Sequence, residues 1–446
     1  MSPLMPTLSL RPLCALALAI TLAAPSFAQV APAVAPVAPQ KPSGEGGLPA
    51  GTAAGGGFVP DRLVRLHGRL DRFVSDGDIA GAVSLIARRG RIVDVHVTGL
   101  RDREQRLPMT RDTIVRVYSM TKIATTVAAL VLLEEGRLRL DDQVATFLPS
   151  LKAPRVFVGG TAAAPKFEPA ARPITIRHLL THTSGYTYGL QSSTVDDLYR
   201  GAALFESRTG DEFVGKVATL PLIAHPGDRF NYGVNTDLLG VIIEKVTGQS
   251  LGAFMQARIF APLGMVDTGF GVPAAKRARL AQVYQREGTG PLTSMGQPNP
   301  LPGRADRIPY PDPDDRLFHS GGGGLFSTAD DYARFAQMLL DGGVLDGVRI
   351  LGRKTVATMT SNQTARLPKG TPSHQGFGFG VSVRLDQGGG TAAGSVGEFG
   401  WSGAATTLVS IDPQERIVSI LLTQHMPFDQ PRIFAVYSTM VNAALD

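Results

Sequence analysis

A serine and a lysine three residues apart, Ser119 and Lys122, could together perform nucleophilic chemistry. The β-branched residues 113–117 before them predict a strand, and the apolar run 123–136 predicts a buried helix closed by a glycine. Ser119 would then lie at the N-terminus of a helix, where free N–H groups and the helix dipole favour an oxyanion. Lys122 follows one turn later, so its amine should share a face with the Ser119 hydroxyl.

The chemistry suggested by this pair is attack of a serine on a carbonyl group. A serine hydroxyl is a weak nucleophile until a base removes its proton, and a neutral lysine can be that base. Burial beside an apolar helix disfavours the charged form of an amine. The alternative is a helix-capping serine followed by a lysine that reaches out to solvent. Because chance readily supplies this spacing, the pair alone favours the alternative.

Composition places the chain among globular proteins and argues against nucleic acid as a partner. The 446 residues are 43% hydrophobic and 18% charged, enough for one or two domains. The formal charge of +6 is spread along the chain without a basic stripe, so we expect no nucleic-acid binding.

The N-terminus has the pattern of a secretory signal peptide over residues 1–28, with one arginine, an apolar core and small residues before a cleavage site after Ala28. This predicts a periplasmic or secreted protein. The only cysteine, Cys14, lies inside the signal, so the mature chain would have no disulfide. No later segment is long enough to span a membrane. Residues 29–59 are rich in Ala and Pro, then Gly, which predicts a disordered tether.

Predicted strands lie towards both ends of the remaining chain, and predicted helices fill its middle. This predicts an α/β domain built from residues 60–140 and 320–446, with a helical domain inserted at 141–319. Residues 149–172 and 285–316 are predicted to be irregular. The predicted strands are 82–87, 91–97, 377–385, 405–411 and 416–423, and the further helices are 61–75, 176–181, 234–247, 251–260, 328–340, 353–359 and 432–445.

Five segments, in this order along the chain, resemble the serine β-lactamase-like superfamily, and in particular the family VIII carboxylesterases with a class C β-lactamase fold. The resemblance extends from about Asp61 to the C-terminus. It implies an antiparallel sheet flanked by helices, with an inserted all-helical domain, as in class C β-lactamases and penicillin-binding proteins. The segments are VYSMTK at 117–122, LLTHTSG at 179–185, PGDRFNY at 226–232, APLGM at 261–265 and GGLFSTADDY at 323–332.

The resemblance implies a role for each matching residue. Ser119 matches the acylated nucleophile and Lys122 its general-base partner. Tyr232 matches the tyrosine that relays the proton to the leaving group, although it could also be a buried loop tyrosine. The N–H groups of Ser119 and Ala404 would form the oxyanion hole.

Two positions depart from the lactamase pattern. Trp401, in the segment Gly-Trp-Ser-Gly-Ala at 400–404, stands where lactamases carry a lysine, as it does in family VIII esterases. Val234 stands where lactamases carry an asparagine, and Asn235 is one position late. Both changes remove polar groups that hold an anionic, amide-bearing substrate, so they favour a neutral ester. We assign substrate binding to Trp401, Ser402, Gly403, Tyr118 and Val234, although Trp401 could also be a packing anchor.

Three other patterns carry less weight. The segment GQSLG at 248–252 matches the lipase pattern G-x-S-x-G, but a predicted helix precedes it, so we predict that Gly248 and Ser250 are helix caps. His178 and His182 have the spacing of zinc ligands without the accompanying glutamate, so we predict no metal. Residues 319–322 could line a pocket or form a flexible turn.

We expect a serine hydrolase that cleaves carboxylic esters through an acyl-enzyme, with possible acyl transfer and a weak β-lactamase side activity. No cofactor is expected, and the partner would be a small-molecule ester. One alternative is a β-lactamase or D-amino-acid peptidase of the same fold. Another is a penicillin-sensing or cell-wall-binding domain that is acylated without turnover. The sequence leaves the oligomeric state open.

Overall fold

The computed structural model describes residues 47–295, 299–300, 307–308, 318–367, 374–388 and 392–446. The predicted signal peptide, most of the predicted tether and much of the predicted loop at 285–316 lie outside these described residues.

An antiparallel sheet of eight strands forms the centre of the fold, in the order β14-β15-β16-β17-β18-β1-β2-β3. Its middle strands pair in register, with Leu85 of β1 opposite both Ile420 and Val95. The strands of this sheet are β1 (Gly81–Arg88), β2 (Arg91–Asp102), β3 (Leu107–Pro108), β14 (Gln375–Phe377), β15 (Ser382–Arg384), β16 (Phe399–Gly403), β17 (Thr407–Asp412) and β18 (Ile417–Thr423).

The other strands form small ladders. They are β4 (Val115–Arg116), β5 (Arg155–Thr161), β6 (Ala164–Pro169), β7 (Tyr284–Gln285), β8 (Thr293–Ser294), β9 (Asn299–Pro300), β10 (Arg307–Ile308), β11 (Phe326–Ser327), β12 (Val344–Leu345), β13 (Val348–Arg349) and β19 (His425–Met426). The α-helices are α1 (Pro60–Ser75), α2 (Thr121–Glu134), α3 (Val144–Phe147), α4 (Ile176–Leu180), α5 (Thr194–Gly201), α6 (Gly210–Ala218), α7 (Asn235–Thr247), α8 (Leu251–Met255), α9 (Ala329–Leu340), α10 (Arg353–Met359) and α11 (Ile433–Ala443).

Alternate side chains of the central strands enter two different hydrophobic cores, because successive residues of a strand point to opposite faces. Ala82 and Ile86 pack with α1 and α11 on one face. Val83 and Leu85 pack into the larger core, which includes α2, α7 and α9. Helix α2 is buried along almost its whole length, as its mostly apolar sequence predicts.

The chain before α1 is ordered where the sequence predicts a tether, so that prediction is wrong for residues 47–59. Leu48 is buried, Ala50 bridges to Ile92, and Phe58 packs into the core beneath α1. Leu48 and Phe58 pack this segment against the cores, and backbone hydrogen bonds join it to Ile92 and Ala444. Two isolated apolar residues show no periodicity that a sequence pattern could detect. A truncation at Val59 would therefore remove two buried side chains.

Three other segments differ from the sequence prediction. The stretch predicted to be irregular before Arg172 contains the hairpin β5–β6, and the single predicted strand 377–385 is instead the hairpin β14–β15. The Gly-Trp-Ser-Gly segment is itself strand β16, whereas the sequence placed it ahead of a strand. Strands this short and rich in Gly or Pro are paired by tertiary context rather than by local propensity. The predicted domain boundaries at 141 and 319 stay a prediction.

Among the described helices, none is by itself both long and apolar enough to cross a membrane. Residues 235–247 and 251–260 pass that test only as a pair bent by 79°.

Candidate active site

Ser119 lies in a short 3-10 turn, Tyr118–Met120, between β4 and the start of α2. Tyr118 has φ of 44°, in the left-handed region that bulky residues rarely adopt. This conformation turns the chain sharply just before the serine. Tyr118 and Ser119 both line a cavity directly in front of the turn.

Lys122 is buried behind Ser119, with 1% of its surface exposed. Its Nζ lies 3.2 Å from the Ser119 Oγ and 2.6 Å from the carbonyl oxygen of Gly322. The same Nζ lies 4.7 Å from the ring centroid of Tyr232 and 4.9 Å from that of Tyr188. The amine is therefore held against the serine hydroxyl by a carbonyl oxygen and the faces of two tyrosine rings.

Trp401 contacts the predicted proton-relay residue directly. Its indole Nε1–H donates a hydrogen bond of 3.2 Å to the Tyr232 Oη, and the two ring centroids are 5.4 Å apart. The tryptophan therefore holds the phenol oxygen without introducing a charge. Trp401 belongs to β16, so the main sheet determines where this donor lies.

His182 supports the loop that carries Tyr232. Burial, with the charge of Lys122 as a smaller cause, lowers the pKa of His182 well below its usual value, so the ring is neutral. Its Nδ1 lies 2.8 Å from the Asn235 Nδ2 and 3.3 Å from the backbone nitrogen of Gly233. Its ring centroid is 4.9 Å from that of Tyr232. These contacts give His182 a structural role next to the site.

Val234, predicted to bind substrate, is fully buried in the larger core and lines neither cavity described below. Its neighbour Asn235 is also buried and bonds to Ser184 and His182. The prediction that Val234 binds substrate is therefore wrong. The cause is the entry into α7, whose first residues pack into the core immediately after Tyr232.

Two cavities meet at Ser119. One has a volume of about 250 Å³ and the other about 800 Å³. Ser119, Leu190, Tyr232, Ala404 and Phe428 line both. The smaller cavity is also lined by Lys122, Tyr118, Tyr188, Phe205, Ser320 and Gly322, and the larger by Trp401, Ser402, Gly403, Arg384, Glu398 and Ser410.

Strand β16 passes close to the segment that leads into the turn Tyr118–Met120. A Cβ added to Gly403 would lie 2.3 Å from the backbone oxygen of Val117, so only glycine allows this approach. Ala404 follows directly and lines both cavities with Ser119. The oxyanion hole formed by the N–H groups of Ser119 and Ala404 stays a prediction that this arrangement permits.

The larger cavity contains an arginine that already has an acidic partner. Arg384 Nε lies 3.0 Å from a carboxylate oxygen of Glu398, and the other carboxylate oxygen accepts from Ser410. The guanidinium charge is thus largely neutralised. Arg384 therefore does not simply replace the lysine that lactamases use to bind a carboxylate.

Several residues that line the site were missed from the sequence. Tyr188 and Leu190 follow the Thr-Ser-Gly segment closely, which was the one available signal for them. Phe205 and Phe428 come from distant loops and gave none. Of the two interpretations open for residues 319–322, pocket lining fits Ser320 and Gly322, which line the smaller cavity.

The remaining sequence patterns lie away from this site. Gly248 closes α7 with φ of 71°, and the Ser250 Oγ accepts the backbone N–H of Ala253 at 3.2 Å, so both are helix caps as predicted. His178 belongs to a capping box with Thr175 at the start of α4. Burial lowers the pKa of His178 to about 4.

Known proteins are similar to this chain in sequence and in fold. The sequence matches the Beta-lactamase family over residues 66–439. Esterase EstB of Burkholderia gladioli is 34% identical over 297 residues, which cover 60% of this chain and 68% of EstB. The structure of EstCE1, described as a hydrolase with promiscuous acyltransferase activity, is 28% identical with a TM-score of 0.72, covering 86% of this chain and 98% of EstCE1.

A third relative is simvastatin synthase (LovD) from Aspergillus terreus. Its structure is 27% identical with a TM-score of 0.71 and covers 86% of this chain and 98% of that one. These likenesses confirm the predicted fold class, and they include an esterase and a hydrolase with promiscuous acyltransferase activity. The chain therefore belongs to the Beta-lactamase family.

Proposed function

We propose that this protein is a serine esterase that hydrolyses neutral carboxylic esters through an acyl-enzyme on Ser119. The observation that carries the proposal is the contact of Ser119 with Lys122 at 3.2 Å, beside a Tyr232 whose hydroxyl is held by Trp401 at 3.2 Å. A nucleophile, a base and a proton donor thus meet where two cavities join. The esterases among the relatives support the same activity.

The reaction follows from these positions. The Ser119 oxygen attacks the ester carbonyl carbon while its proton passes to Lys122, and the N–H groups of Ser119 and Ala404 stabilise the oxyanion. The C–O bond to the alcohol then breaks, Tyr232 gives its phenolic proton to the leaving oxygen, and the Lys122 ammonium replaces the proton on Tyr232. Water next attacks the acyl group by the reverse path, which releases the acid and restores the Ser119 hydroxyl.

The two cavities support acyl transfer as a second activity. Both open onto Ser119, so one can hold the acyl group while an alcohol enters the other. The larger volume, about 800 Å³, is in the range of pockets that accept drug-sized molecules. The promiscuous acyltransferase activity described for EstCE1 supports this second activity.

β-Lactamase activity is expected to be weak. A β-lactam carries a carboxylate, whereas Trp401 provides no positive charge and Arg384 is paired with Glu398. Losing one charge-assisted hydrogen bond costs about 1.5–3 kcal/mol. That loss corresponds to roughly 10- to 100-fold in kcat/KM.

Turnover of p-nitrophenyl butyrate and nitrocefin by the wild type tests the proposal. We expect sustained ester turnover with a much lower kcat/KM for nitrocefin, and a Trp401→Lys variant as the second arm should narrow that difference. Equal efficiency on both substrates would favour a β-lactamase. A single burst without turnover would favour a sensing domain.

We propose that the protein acts in the periplasm or outside the cell, on the basis of the signal pattern in residues 1–28. Expression of the full chain in a Gram-negative host, followed by N-terminal sequencing, tests this. A mature protein that begins at Gln29 in the periplasmic fraction is expected. A full-length cytoplasmic product would contradict the proposal.

A further inference from the structure

Asp237, in the first turn of α7, is a fully buried carboxylate that no sequence pattern singled out. Three donors converge on it. Its Oδ1 accepts from the Ser320 hydroxyl at 2.5 Å and from the Gly322 backbone N–H at 3.0 Å, and its Oδ2 accepts from the Tyr188 hydroxyl at 2.7 Å. No ion pair between described residues includes it. A buried carboxylate without an ion-pair partner is costly, which calls for an explanation.

The donors of Asp237 are the same residues that surround Lys122. Gly322, whose N–H bonds to Asp237, offers its carbonyl oxygen to the Lys122 Nζ at 2.6 Å. Tyr188, whose hydroxyl bonds to Asp237, presents its ring to the same Nζ at 4.9 Å from the centroid. The carboxylate is therefore linked to the lysine along two short paths.

The loop that makes this contact contains Gly321 and Gly322, and neither position leaves room for a side chain. A Cβ on Gly322 would lie 2.3 Å from both the Asp237 Oδ2 and the Tyr188 Oη. A Cβ on Gly321 would lie 2.5 Å from the backbone oxygen of Thr236. On the other side, the Thr125 hydroxyl of α2 donates to the Gly321 oxygen at 2.7 Å. The loop is thus clamped between α2 and α7, with Asp237 at the contact.

We infer that Asp237 is a positioning residue for Lys122. It fixes the Gly322 carbonyl that orients the amine towards Ser119, and its negative charge stabilises the ammonium that forms when Lys122 takes the serine proton. A buried carboxylate plays the corresponding part behind the histidine of Ser-His-Asp triads. This inference rests on the proposed role of Lys122 as base, and it adds to Ser119, Lys122 and Tyr232 a fourth residue that touches neither substrate nor the reacting atoms.

Asp237→Asn tests the inference because it keeps the size of the side chain and removes its charge. Since the substrate contacts stay in place, kcat for p-nitrophenyl butyrate should fall about 10- to 100-fold, as for a misplaced catalytic group, with KM changed less than about twofold. The rate at which a fluorophosphonate labels Ser119 should fall in parallel. That second measurement needs no ester turnover, so it tests Asp237 even if the proposed esterase activity fails.

Asp331→Asn is the matched control. Asp331 is also a buried carboxylate that accepts a backbone N–H, from Asp267 at 2.7 Å, and a hydroxyl, from Thr268 at 2.8 Å, but it lines neither cavity. Its replacement should leave kcat and the labelling rate near the wild-type values. A wild-type kcat in Asp237→Asn, or an equal loss in Asp331→Asn, would overturn the inference.

If Asp237→Asn does not fold, Tyr188→Phe and Ser320→Ala keep the test decisive. Each removes one hydrogen bond from the carboxylate and leaves its charge in place. We expect each to lower the labelling rate of Ser119 by a smaller factor, about 3- to 10-fold, in the range of one ordinary hydrogen bond. An unchanged labelling rate in both variants would contradict the positioning role.

Discussion

Two serines in this chain stand just before a helix and match a hydrolase motif, yet they lie in opposite situations. The Ser250 hydroxyl accepts the backbone N–H of Ala253 at 3.2 Å and is exposed, so its oxygen serves as a helix cap. Ser119 makes no such capping bond at the start of α2, and its oxygen lies 3.2 Å from the Lys122 amine. The difference shows that a serine is available for chemistry only where the helix does not use it.

The surroundings of the two serines also favour Ser119 as the nucleophile. Ser119 lies where two cavities meet, opposite Tyr232 and Ala404. Ser250 lines neither cavity and follows the left-handed Gly248 that ends α7. A motif match alone does not distinguish a nucleophilic serine from a capping serine. The hydrogen-bond partners of each hydroxyl do distinguish them.

The largest expected effect is that of Ser119→Ala, which removes the nucleophile. Ester turnover should fall on the order of 10⁶-fold, as for other serine hydrolases that lose this group. The wild type, labelled with a fluorophosphonate and mapped by mass spectrometry, should carry one adduct, on Ser119. An adduct on Ser250, or activity that survives Ser119→Ala, would contradict the assignment of Ser119 as the nucleophile.

Lys122→Arg should be nearly inactive, with kcat lowered by about 10³- to 10⁴-fold. The guanidinium is always positively charged and cannot accept the serine proton, so the base is lost. Steady-state kinetics should be accompanied by circular dichroism to show that the fold is intact. Near-wild-type turnover in a folded variant would mean that Lys122 supplies charge rather than basicity.

Tyr232→Phe should lower kcat by about 10²- to 10⁴-fold, because the proton donor for the leaving alcohol is lost. Trp401→Phe should have a smaller effect, roughly 5- to 10-fold, because it removes only the hydrogen bond to the phenol oxygen. The two single variants, the double variant and the wild type form a double-mutant cycle, in which kcat is measured with one ester. Independent, additive effects would contradict a role of Trp401 through Tyr232.

Ser250→Ala should change activity least. Loss of the cap on α8 should lower the free energy of unfolding by about 1 kcal/mol, with kcat/KM unchanged. Urea denaturation and ester kinetics on the same preparation measure both quantities. A substantial loss of kcat/KM without loss of stability would give Ser250 a function that its contacts do not explain.

Sequence alone determined the parts of this protein that depend on short-range spacing. Ser119 and Lys122 lie three residues apart at the head of a helix, so helical geometry brings their side chains together wherever that helix packs. Gly248 and Ser250 were likewise identified as caps from the helices on either side of them. Ordered motifs along the chain also predicted the fold class, which the comparisons confirm.

Only the tertiary structure decided the contacts that complete the site. Trp401 meets Tyr232, and Asp237 meets Ser320 and Gly322, across long separations in the chain. The tertiary structure also decided that Val234 is buried in the core and that residues 47–59 pack against the rest of the fold. No local pattern encodes such contacts, because each depends on how the sheet, α2 and α7 pack together, which fixes which side chains share the space in front of Ser119.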